Sequence, residues 1–388
     1  MRRVLLVLLT VLVVAGALLF ALGPGVVERS RNSVTRPPPY AAPALARQLH
    51  RTLFVADLHA DPLLWGRDLL ARASYGHVDV PRLQQGGVAL QVFGVVTQVP
   101  AGQNYQYNTL RWDIITPLVI LQRWPVRTWT SAKARALYQA HKLHAVAAAS
   151  NRRFEVIDRA AGLQQFVERR RATPGLVAGL LAIEGLQAIE GDLGNLDVLY
   201  AAGFRMMGLT HFFDNAVGGS AHGMTKGGLS EFGRRVVQRM EERRILVDLA
   251  HASPRLMDDV LDIATRPVVV SHTGVKGTCD NIRNLSDAHV RRVAATGGLI
   301  GIGYWNAAVC DVSVAGIVRA VRYTVKLVGP DHVALGSDFN GATTTPFDTT
   351  GVPLITAGLL EAGFSTEDIK KIMGGNVLRL LRTTLPEQ

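Results

Sequence analysis

The chain has 388 residues, 48% of them hydrophobic and 19% charged. It is too long for a single small module and apolar enough to bury a sizeable core, which excludes disorder as the dominant state. Two cysteines exclude a disulfide-dense scaffold, and the net charge of +11 is spread along the chain without a nucleic-acid-binding signature, so no nucleic-acid partner is expected.

Arg2 and Arg3 precede an uncharged apolar run of nineteen residues, Val4 to Leu22. At about 1.5 Å per residue such a helix nearly spans a hydrocarbon core of roughly 30 Å. Residues 1–23 therefore read as an N-terminal transmembrane anchor, the alternative being a secretory signal that is cleaved to release the rest. The run exceeds the usual signal core, and no clean small-x-small site follows it before Pro24, which favours the anchor. The two arginines hold the N-terminus in the cytoplasm. The remainder is then expected outside it, in the periplasm if the source is a Gram-negative bacterium. Residues 24–43 carry Pro24, Pro37, Pro38, Pro39 and Pro43 and read as an extended spacer. The folded domain is expected over 44–388.

Eight short apolar runs follow: Leu53–Asp57, Val88–Val96, Leu176–Ile183, Phe204–Leu209, Ile245–Leu249, Pro267–Val270, Leu299–Tyr304 and His332–Leu335. Runs without alternation indicate strands covered on both faces, as in a parallel sheet. Helical patterns separate them, with Ser253 placed to cap one and Ser365 with Asp368 resembling a capping box. Gly374 and Gly375 are expected to stop that last helix before Val377–Leu381 resumes it. Residues 97–175 exceed an ordinary connection and read as a helical excursion, with Phe154–Ile157 a candidate extra strand. The pattern predicts a (β/α)8 TIM barrel. A doubly wound sheet fits less well, because no Gly-rich phosphate fingerprint follows the first strand.

Polar residues collect where such a barrel places its chemistry. The first strand runs into His59 and Asp61, two apart and so on one face of extended chain. Later strands end in Glu184, His211, His251, His272 and Asp338. Six of eight strand ends therefore carry an imidazole or a carboxylate, all directed at one mouth. Such a cluster is costly to bury unless cations compensate it. A pair of divalent ions would do so, and mixed His and carboxylate donors without thiolates suit Zn²⁺. The other histidines, His50, His77, His141, His144, His222, His289 and His332, do not end strands. Of these, His222 in a Gly-rich loop is nearest in pattern to reaching the mouth.

The pieces "VDVPRLQQGGVALQVF", "AIEGLQAI", "LYAAGFRMMGLTH", "ILVDLAHAS", "VVVSHTG", "RNLSD", "GSDFNG" and "IMGGNVLRLL", with His59-x-Asp61 before them, keep one order over residues 50–382. In this the chain resembles the membrane dipeptidase (renal dipeptidase) family of zinc peptidases, a branch of the amidohydrolase-type barrels. The resemblance implies a metallodipeptidase holding two Zn²⁺ per chain, bridged by Glu184 and a water or hydroxide that attacks the peptide bond. His59 and Asp61 would ligate one ion, and His251 and His272 the other. His211 would meet the substrate carbonyl, Arg283 the substrate carboxylate, and Asp338 would transfer the proton. A dipeptide, with a D-residue at its C-terminal position among the candidates, is the implied substrate. The family also forms homodimers, although no stripe in this chain points to one. Family members can carry a disulfide between the loops after strands six and seven, which here would join Cys279 to Cys310.

This chain departs from the family pattern locally. Ala60 stands between the first two ligands, where a polar residue is common. Asn340 replaces the second acid of the family's "SDFDG", a change expected to alter the support around the ligands rather than ligation itself. Two other functions compete: a different amide or lactone hydrolase with the same pair of metals, and a non-catalytic anchored binding protein.

Overall fold

The computed structural model describes residues 2–387. Eight strands form the barrel: Val55–Ala60 (β1), Val88–Phe93 (β2), Val177–Glu184 (β3), Phe204–Gly208 (β4), Leu246–Asp248 (β5), Val269–Thr273 (β6), Leu299–Ile302 (β7) and Val333–Leu335 (β8). Each pairs in parallel with its neighbours, and Leu335 opposite Asp57 closes the ring between β8 and β1. Every strand position is buried, because helices cover the outside and side chains fill the inside. This accounts for continuous apolar runs in the sequence in place of alternation.

Elements lie within a few residues of the predicted positions. Ser253 caps the helix Pro254–Ile263 by accepting from the Leu256 amide, and Ser365 caps Thr366–Lys370 through the Asp368 amide. Gly374 and Gly375 do not stop the chain; they lie in a wide turn, Lys371–Gly375, that passes directly into the helix Asn376–Thr384. The excursion contains the helices Ile115–Leu121, Ala132–Ala149 and Ala160–Ala172. Its short strand Phe154–Val156 pairs with the first residues of β3, on the edge that β4 occupies further along.

The N-terminal helix runs from Arg2 to Arg31 with its apolar run exposed along its length. It continues past Pro24, and the stretch that follows is not a free spacer. Ser33–Val34 pairs in parallel with Thr344–Thr345, Tyr40 packs edge-on against Phe347, and Ala42 is buried. The pairing partner lies 311 residues away, so the local proline content gives no sign of it.

Candidate metal centre and active site

The strand ends bring their polar residues to one mouth. Glu184, the last residue of β3, stands at the centre of the cluster. Its Oε1 lies 2.9 Å from Nε2 of His251, 3.2 Å from Nε2 of His272 and 3.7 Å from Nε2 of His59. Its Oε2 lies 3.2 Å from Nε2 of His211. His59 and Asp61 approach at 3.3 Å, with Asp338 beside them. All seven side chains are buried. Possible ligand atoms lie within 4.8 Å of one another in three overlapping groups: His59, Glu184 and His272; Glu184, His211 and His251; His59, Asp61 and Asp338. His211 therefore reaches ligand distance as well as the cavity.

A cavity of about 590 Å³ opens over this cluster and is lined by Asp61, Glu184, His211, His251, Arg283 and Asp338, with Tyr105 and Trp305 on its walls. Two glycines make room. A Cβ on Gly94 would lie 2.2 Å from Asp61 Oδ1 and 2.7 Å from His59 Cε1, and one on Gly341 would lie 1.9 Å from Asp338 Oδ1. His251 and Asp338 both adopt positive φ, at 62° and 59°. Backbone strain of this kind gathers at functional sites because the surrounding structure must impose it.

The electrostatics are those of charges taken out of water. Burial raises the Glu184 carboxyl well above its ordinary range and, with Asp61 adding repulsion, pushes Asp338 up to about 8. Burial lowers His211 to about 3 and holds His251 and His272 well below the usual histidine range, reinforced for the last two by charged or ring neighbours. His59 is the exception. Burial lowers it, but the carboxylates of Asp61, Glu184 and Asp338 outweigh that and hold it up at about 10.

The donor set fits divalent cations. Ser271 Oγ lies 2.5 Å from Asp248 Oδ2 and 2.9 Å from His272 Nδ1. Its single proton goes to the carboxylate, so the His272 Nδ1–H donates to Ser271, and Nε2 is left bare toward Glu184. Asp57 is held in the same way by the Ser337 hydroxyl and amide. Asp61 Oδ1 is buried and has no hydrogen-bond partner among the described residues.

Arg283 is 5% exposed, and its Nη2 donates to the His272 carbonyl at 2.7 Å while its guanidinium lies over the Trp305 ring. Its Nε has no partner among the described residues. His222 does not line the cavity. It stacks on Phe212, its ring centre 5.3 Å from that of His251, and bonds the Tyr105 carbonyl through Nδ1. Cys279 and Cys310 are joined as a disulfide across the neighbouring loops. Sequence reasoning assigned no role to Asp57, Asp248, Ser271 or Ser337. Their signal was present in spacing: an Asp two residues before His59 or three before His251, and a Ser just before His272 or Asp338.

Comparison with known proteins agrees with this geometry. A profile described as membrane dipeptidase (peptidase family M19) matches residues 44–386. Dipeptidase tcpJ of Claviceps purpurea is 29% identical over 79% of this chain and 69% of its own length. Dipeptidase aclJ of Aspergillus oryzae is 28% identical over 84% and 77%. Among solved structures, a metallopeptidase from Rhodobacter sphaeroides, liganded with a phosphinate mimic of the dipeptide L-Ala-D-Ala, superposes with a TM-score of 0.70. It shares 26% identity and covers 86% of this chain and 99% of its own. With the profile matching residues 44–386 and the fold shared over 86% of the chain, the chain belongs to the membrane dipeptidase family, peptidase family M19, and is a metal-dependent peptide hydrolase.

Proposed function

We propose that the protein is a zinc-dependent dipeptidase, anchored in a membrane by its N-terminal helix, that accepts dipeptides including those with a C-terminal D-residue. His59 and Asp61 would hold one ion, His251 and His272 a second, and Glu184 would reach both. Bound there, the ions would polarise the scissile carbonyl and lower the pKa of the attacking water.

The chain's own groups supply the rest. Arg283 receives the free carboxylate of the substrate; its planar fork is suited to two parallel hydrogen bonds. His211 faces the position of the carbonyl oxygen, where negative charge develops. Asp338 takes a proton from the water as its oxygen bonds to the carbonyl carbon. As the C–N bond breaks, it passes that proton to the departing amine. Burial of Asp61, Glu184 and the four histidines excludes bulk water and strengthens each of these interactions.

The observation that carries this reading is Arg283: a buried cation with an unpartnered Nε on the same cavity as the metal-type cluster. A dipeptide carries its free carboxylate one residue from the bond to be broken, so one cavity can receive both. The D-residue preference draws on the L-Ala-D-Ala mimic carried by the Rhodobacter relative. Purified full-length protein supplied with zinc should release free amino acids from L-L and L-D dipeptides and lose this on chelation. No turnover across such a panel would refute the proposal.

A further inference from the structure

We infer that the last turns of the N-terminal helix belong to the active-site mouth, with Glu28 as a positioning residue that holds the Asp338–Thr343 loop through Asn340. Glu28 is 1% exposed, unlike its helical neighbours, and lies outside the matched family region of 44–386. Its Oε1 accepts from Arg67 Nε at 2.6 Å and from Asn340 Nδ2 at 3.1 Å. Asn340 in turn accepts at Oδ1 from the amides of His77 and Val78, while its own amide donates to His77 Nδ1. With Nδ1 accepting, His77 donates from Nε2 to the Ser33 carbonyl at 2.9 Å. Asn32 Oδ1 accepts from the Ala342 amide, and the Ser33 amide donates to the Thr343 carbonyl. The segment from the helix end to Val34 is thus laced to the loop that carries Asp338. Val27 and Arg31 of the same turns line the catalytic cavity.

This arrangement explains the departure at Asn340. An aspartate there would set a second carboxyl against Glu28, whose own carboxyl burial already raises, and would lose the amide hydrogen that Asn340 donates to Glu28 Oε1. An asparagine amide donates instead. The acid that the family pattern carries in the loop is supplied here from the N-terminal helix, and Asn340 and Glu28 form a matched pair. Glu28 lies only six positions beyond Leu22, the end of the apolar run. That is a rise of about 9 Å, so the cleft opens close to the surface of whatever bilayer the helix enters.

The effect on turnover rests on the dipeptidase reading; the docking of the helix does not. In full-length protein, N340D should lower kcat at least tenfold with KM changed less than threefold, because Asp338 is displaced while Arg283 is untouched. Adding E28Q should bring kcat back to within threefold of the starting enzyme, since the amide introduced on the helix can donate to the carboxylate introduced in the loop. Wild-type turnover in N340D, or a double variant no better than N340D, would overturn the inference. A second measurement needs no activity and no N340D protein. Ser33 Oγ and Thr344 Oγ1 lie 2.8 Å apart, so S33C/T344C in the full chain should form a disulfide spontaneously. Its formation supports the docked segment even if no dipeptide is turned over, and its absence under oxidising conditions contradicts it.

Discussion

Nε2 of His251 lies 3.0 Å from Nε2 of His272. Two neutral imidazoles can approach this closely only if one donates a proton to the other or both face a cation. Ser271 takes the Nδ1 proton of His272, so its Nε2 is a bare acceptor, and without a cation His251 must turn its one proton to Nε2, the face the proposed ion would occupy. The proposed ion would give both Nε2 lone pairs one shared partner, and stripping it would remove that partner. Chelated protein is expected to unfold at a lower temperature than protein with zinc, and returning zinc should restore the midpoint.

The support behind His272 is open to a direct test. Asp248→Asn removes the carboxylate that takes the Ser271 proton and frees the hydroxyl to donate to Nδ1, which favours the wrong tautomer. Metal affinity should fall roughly 10- to 100-fold, as is usual when an outer partner of a ligand is lost. Competition with a zinc-binding dye reads this out. Unchanged affinity would show that the Asp248–Ser271 link does not set the tautomer.

Gly94 tests the space around the first ligand pair. Gly94→Ala places a methyl 2.2 Å from Asp61 Oδ1, and the residue it displaces is on the reacting side of the barrel. The variant should fold, yet bind less metal and lose activity. Full metal occupancy with wild-type turnover would mean that His59 and Asp61 do not depend on this approach.

Arg283→Ala should lose about 2–3 kcal/mol of binding to a free carboxylate, a fall of roughly 30- to 150-fold in kcat/KM. The same variant should treat C-terminally amidated dipeptides nearly as the wild type does. Equal losses on both substrates would place Arg283 in the structure rather than in recognition.

His77 gives the fold a pH dependence of definite sign. Burial lowers it to about 4, below its unfolded value, so the folded state stays neutral where the unfolded chain takes up a proton. Its contribution is complete above pH ~6.5 and is lost as the pH falls toward 4, at a cost of about 3 kcal/mol. Thermal unfolding between pH 7 and 4.5 should show a shallower decline for His77→Gln than for the wild type. Parallel slopes would remove His77 from the account.

Much of the fold is legible along the chain because buried parallel strands leave uninterrupted apolar runs, and six of the eight run into an imidazole or a carboxylate that reaches the mouth. Glu184, His211, His251 and His272 stand out for that reason. The supporting residues are harder to see. Asp57 and Asp248 gain meaning only when β1 lies beside β8 and β5 beside β6, where Ser337 and Ser271 complete their hydrogen bonds. The prolines of 24–43 suggest a spacer because composition is local, whereas the pairing of Ser33 with Thr344 and the burial of Glu28 against Arg67 join distant segments.

In the proposed site one carboxylate, Glu184, and the imidazoles around it would clasp a pair of metal ions. Elemental analysis of full-length protein, purified without chelator and equilibrated with zinc, tests this most directly. About two zinc ions per chain are expected, falling well below that in Glu184→Gln. A zinc content near zero in the wild type, from protein that is folded and monodisperse, would contradict the account.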